Sequence, residues 1–197
     1  MDVRIDLKPQ DCFLLALMCM VVPVKWLLAM VAAAAAHEAS HLLAVIFCGG
    51  KVYSVRIGGT GAVMESAPME RWKELLCILA GPAGSFVLLF FSVWFPGTAV
   101  CGFVQGIYNL LPVYPLDGGR AVQCIASMFF PSTEDKAVSV AARITIILIC
   151  SAGIVGTCVM KLGFLPLLAS VLFAMKHLPG KIPCKDGLHR VQYRYHI

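Results

Sequence analysis

The stretch Trp26-Leu-Leu-Ala-Met-Val-Ala-Ala-Ala-Ala-Ala-His37-Glu38-Ala39-Ser40-His41-Leu-Leu-Ala-Val-Ile-Phe-Cys48 is an apolar run, long enough to cross a bilayer, with three ionisable side chains at its centre. The ten residues before His37 are all apolar, and Leu42 to Phe47 follow His41 without a polar break. A solvent-facing polar stripe therefore has no place on this helix. Carrying an ionisable side chain into hydrocarbon costs at least about 2.5–3.5 kcal/mol, so such groups mark function. Positions i and i+4 differ by about 40° of rotation, which puts His37 and His41 on one side, one turn apart, where both can bind one metal ion. Glu38, beside the first of them, is placed to act as a base on a water at that ion.

Outward from this run, the composition agrees. The chain has 197 residues, 59% hydrophobic and 14% charged, against roughly 25% charged in a soluble domain. This predicts an all-α, multi-pass integral membrane protein with about six transmembrane helices. The apolar runs are Cys12 to Val24, Trp26 to Cys48, Leu75 to Phe95, Ala99 to Tyr114, Ile144 to Met160 and Leu162 to Met175. With six spans and a cytoplasmic N-terminus, fourteen of the sixteen Lys and Arg residues fall on the cytoplasmic side, leaving out Lys25 and Lys161. Both termini are thus expected in the cytoplasm. The segment before Cys12 lacks the basic excess of a signal peptide, and cleavage in the alanine run would remove the helix carrying His37. The basic tail from Lys176 to Ile197 is read as a topology signal and a contact for the lipid surface, not for nucleic acid. Nine cysteines include no C-x-x-C pair. None is expected to form a disulfide or bind metal.

Between the second and third spans, Lys51-Val-Tyr-Ser-Val-Arg-Ile57, Gly58-Gly-Thr-Gly61 and Ala62-Val-Met-Glu65 predict a small β-hairpin. Its edge near Val55 could receive an extended substrate as an added strand, although a plain connector is also compatible. The third span carries Ala80-Gly81-Pro82-Ala83-Gly84-Ser85, a kink and close-packing motif. The fourth ends at Asn109-Leu-Leu-Pro112-Val-Tyr-Pro115-Leu116-Asp117-Gly118-Gly119-Arg120, whose prolines and glycines predict irregular backbone at the membrane interface. A zinc hydrolase with two helical histidines takes a third protein ligand from elsewhere. Of the eleven acidic residues, Asp117 is the best candidate, with ordinary Asp-Gly turn chemistry as the alternative. Asn109 is a candidate for holding substrate or an oxyanion, or for a helix–helix hydrogen bond.

Taken in order, His37-Glu38-x-x-His41, Gly81-Pro82 and Asn109-x-x-Pro112-x-x-Pro115-Leu116-Asp117-Gly118 resemble the site-2 protease family of intramembrane zinc metalloproteases. The short form resembles the bacterial sporulation factor IVB type. The resemblance implies a single domain over residues 1–197, with a three-helix catalytic core at about 26–120 and peripheral helices at 12–24, 144–160 and 162–175. It also implies one Zn2+ per chain held by His37, His41 and Asp117, with Glu38 activating water. The substrate would be a membrane-anchored protein cut near the cytoplasmic leaflet in regulated intramembrane proteolysis, in a bacterial cell membrane and with regulatory membrane proteins as further partners. The family often has Asn a few residues after Gly-Pro, where this chain has Ser85. The length leaves no room for the PDZ or CBS modules of many relatives. From the residues alone, a metal-ion or proton transporter using the same His, Glu and Asp groups stays open, although a transport path would favour polar residues recurring along several spans.

Overall fold

The computed structural model describes residues 2–5, 19–20, 22–58, 61–130, 134–158, 165–177 and 194–196. They group into two compact units, one running to Leu110 and including the C-terminal strand, the other beginning at Leu111.

In the first unit, helix α1 spans Val24–Phe47, directly after Pro23. Its buried residues are Ala29, Ala33, His37, His41 and Val45, a stripe spaced by four. Such a row forms a ridge that packs into the groove of a facing helix, and two alanines in it let that helix come close. Helix α2, Arg71–Val87, runs on as a 3-10 segment, Leu88–Phe91, and contains Pro82. Cys77, Gly81 and Ser85 are buried along it, again spaced by four. Helix α3, Pro96–Asn109, begins on a proline, which suits a first turn whose N–H groups have no helical partner, and buries Ala99, Gly102 and Gly106. The three helices pack against one another.

Their outer faces keep large apolar side chains exposed, among them Leu28, Val31, Ile46, Phe47, Leu89 and Phe90. Lipid, not water, suits such a surface. At the start of α2, Trp72 Nε1 donates to Glu70 at 2.6 Å while Lys73 lies 5.4 Å from the Trp72 ring centroid. An aromatic ring among charges is the composition of a membrane–water boundary.

A four-stranded sheet completes the unit, with β1 at Asp2–Ile5, β2 at Val52–Gly58, β3 at Gly61–Ser66 and β4 at Arg194–His196, in that spatial order. Strand β2 runs antiparallel to β3 and parallel to β1, and β3 runs antiparallel to β4. This corrects the expectation for Val55. Val55 is opposite Val3 on one side and Met64 on the other, so its strand has no open edge. The reason is long-range: two short strands from near the chain ends cover both flanks of a pair that a local reading sees alone.

In the second unit, helix α4 spans Asp117–Phe129, α5 spans Glu134–Cys158 and α6 spans Leu165–His177, with α5 packed on both others. The irregular backbone expected around Asp117 is confined to the residues before it, including a cis Tyr114–Pro115 bond. Gly118 and Gly119 stand inside a helical first turn. A Cβ at Gly119 would lie 2.5 Å from the backbone of Val113 and Tyr114, so only glycine lets the helix start against that loop.

Among the described residues, three helices are long and apolar enough to cross a membrane: Val24–Phe47, Arg71–Phe91 with its 3-10 extension, and Lys136–Val155 within α5. Of the six expected spans, the fourth and sixth correspond to helices of 14 and 13 residues, only about 20 Å of rise against a hydrocarbon layer of about 30 Å. Most of the first, Cys12 to Val24, lies outside the described residues.

Candidate metal centre

His37 and His41 are 1% and 4% exposed, on the face of α1 that meets α2. Each ring is held from behind by α2. His41 Nδ1 is 2.7 Å from the backbone carbonyl of Cys77. A carbonyl only accepts, so Nδ1 carries the proton, and in the neutral ring the lone pair is on Nε2. His37 Nδ1 is 2.8 Å from the Ser85 hydroxyl. Gly81 lies between these two contacts, and a Cβ there would fall onto the His41 ring. The motif expected to permit close packing thus does so at a particular place, against a particular imidazole.

With both Nδ1 atoms occupied, the two Nε2 atoms face each other at 3.3 Å, the rings nearly perpendicular at 78°. Two nitrogens each about 2.05 Å from a tetrahedral zinc ion stand about 3.3–3.4 Å apart. The observed spacing is that of two ligands of one ion. When both Nε2 atoms present lone pairs, a cation between them relieves their repulsion, and metal-binding histidines characteristically donate their other N–H to a carbonyl or similar acceptor. The site therefore fits a metal on the evidence of its own geometry.

Asn109, the last residue of α3, has its amide nitrogen 3.3 Å from His37 Nε2. Glu38 is half-buried, with its Oε2 atom fully enclosed. Asp117 belongs to the second unit, where it is 3% exposed and opens helix α4. A helix N-terminus favours a negative charge, and Arg120 Nη1 lies 3.8 Å from Asp117 Oδ1. His37, His41 and Asp117 are each buried, and imidazole and carboxylate are donor types that zinc takes. The residues that local reading missed are Ser85, the Cys77 carbonyl and Arg120. Only the fourfold spacing of Cys77, Gly81 and Ser85, matching that of His37 and His41, signals the first two. The cysteines Cys19, Cys48, Cys77, Cys101, Cys124 and Cys150 are free thiols.

Among solved structures, the site-2 protease from Methanocaldococcus jannaschii superposes with a TM-score of 0.56 at 20% identity, over 91% of this chain and 93% of that one. The fold is that of a site-2 protease. A protein of Synechocystis sp., provisionally named a zinc metalloprotease, is 28% identical over an alignment of 130 positions that covers 57% of this chain. The match spans 34% of that relative's length, about a third. No family model matches. The likeness to the solved structure is one of fold, and the relative's name is that of a zinc metalloprotease. Ser85 faces a histidine of the candidate centre.

Proposed function

We propose that the chain is an intramembrane zinc endopeptidase of the site-2 type that hydrolyses a peptide bond in a membrane-anchored protein near the cytoplasmic leaflet. The observation that carries this reading is the pair of Nε2 atoms at 3.3 Å, each ring anchored through Nδ1 by α2. His37, His41 and Asp117 would hold one zinc ion per chain, the carboxylate supplying the third donor. Bound there, zinc would polarise the scissile carbonyl and bring the ionisation of a water close to neutral pH.

The remaining work belongs to side chains. Glu38, one residue from His37, would take the proton of the attacking water and return it to the leaving nitrogen. Asn109, an amide donor beside His37, would hold the substrate carbonyl. The buried position of both histidines keeps bulk solvent from competing for the ring nitrogens. The reading includes a multi-pass protein of a bacterial cell membrane, both termini cytoplasmic, that acts in regulated intramembrane proteolysis, including at sporulation, under the control of other membrane proteins.

The test works whatever the substrate is. Membranes from cells producing the wild type and Glu38→Gln are compared by mass spectrometry of protein N-termini. New N-termini within or beside apolar segments, present only with the wild type, are expected. Identical profiles across replicates would overturn the reading.

A further inference from the structure

Ser85 is fully buried, and its hydroxyl meets Nδ1 of His37 at 2.8 Å. It is the last of three residues, Cys77, Gly81 and Ser85, that α2 presents along one row. The first of them serves His41 through a backbone carbonyl, which no substitution of its side chain removes. The second yields space for the His41 ring. At Ser85 a side chain makes the contact, so there the support of an imidazole can be altered without moving backbone.

We infer that Ser85 is a positioning residue for zinc binding. Its oxygen accepts the Nδ1–H of His37, which selects the tautomer whose Nε2 lone pair faces His41 Nε2 and fixes the rotation of the ring. This rests on the reading of His37 as a zinc ligand. A hydroxyl oxygen has the lone pairs to accept the Nδ1–H when its own proton turns away from the ring.

The test uses the full chain in detergent micelles, with zinc affinity read by competition against a chromogenic chelator. Ser85→Ala is expected to bind zinc about 10–100-fold more weakly, while Ser85→Thr, which keeps the hydroxyl, stays within about threefold of wild type. Metal-free Ser85→Ala should still unfold cooperatively, at a temperature lowered only by the loss of one buried hydrogen bond, and Ser85→Thr, which keeps that bond, separates positioning of the ring from general packing. Cobalt-loaded Ser85→Ala should show an altered visible ligand-field band. Equal zinc affinity in wild type and Ser85→Ala would overturn the inference, as would equal losses in Ser85→Ala and Ser85→Thr. His37→Ala separates the two levels. If it loses zinc while Ser85→Ala does not, the positioning role alone fails; if it binds zinc like wild type, the ligand reading beneath it fails.

Discussion

Replacing Gly81 by alanine adds one methyl group and should disable the metal centre. The added Cβ would stand 2.5 Å from Cε1 and 2.6 Å from Cδ2 of His41, whereas ordinary carbon contacts begin near about 3.5 Å. Relief therefore requires a displacement of roughly 1 Å, of the ring or of the helix. The ring cannot move alone, because Nδ1 is tied to the Cys77 carbonyl at 2.7 Å and Nε2 has a place 3.3 Å from its counterpart. Zinc–nitrogen bonds tolerate only a few tenths of an ångström around about 2.0–2.1 Å. Moving α2 instead separates Cys77 and Ser85 from both imidazoles, and overpacking of this kind costs about 1–3 kcal/mol. Either route removes at least the support behind a ligand, so zinc affinity should fall by about 100-fold or more. Chelator competition on the purified full chain reads the loss, with Gly97→Ala as the control, since a Cβ there meets its nearest neighbour at an ordinary 3.5 Å. Wild-type zinc affinity in Gly81→Ala would refute the reasoning, because it would mean that His41 does not bind metal in the position described.

Other outcomes follow from the same geometry. Glu38→Gln should retain about one zinc per chain, as a residue that moves protons and does not ligate, yet yield no new N-termini in the membrane proteome; cleavage by this variant would remove Glu38 from the chemistry. Asp117→Asn exchanges an anionic donor for a neutral one, so zinc should be lost to a chelator that the wild type withstands, with expression and membrane insertion unchanged; full occupancy under that challenge would send the search for the third ligand elsewhere. Gly119→Val should lower the unfolding temperature, because its Cβ would press on the Val113–Tyr114 backbone; an unchanged value would show that the loop gives way freely.

The histidine pair is legible from sequence because its cost is legible. Ionisable groups in an apolar run have few structural excuses, and a spacing of four fixes their common face before any partner helix is known. What supports them is not legible in the same way. Ser85 and the Cys77 carbonyl serve the two rings only because α1 and α2 meet in a certain register, and register is set by the whole of both faces. Asp117 stands out by elimination among the acids, but Gly118-Gly119 reads as a helix stop when it is in fact a helix start, since the need for glycine arises from the approach of Val113 and Tyr114. Val55 is misjudged for a related reason. A local pattern shows β2 and β3 but not β1 and β4, which come from near the two ends of the chain. The long helices α1, α2 and α5 follow from apolar length alone, whereas α4, with its polar face and its glycine start, does not.

X-ray absorption at the zinc edge of the purified full chain tests the central claim most directly. The account predicts one zinc per chain with a nitrogen and oxygen first shell at about 2.0–2.1 Å and the outer-shell scattering of two imidazoles, reduced to one in His37→Ala. No bound zinc, or a sulfur shell at about 2.3 Å that assigns the metal to cysteines, would contradict it.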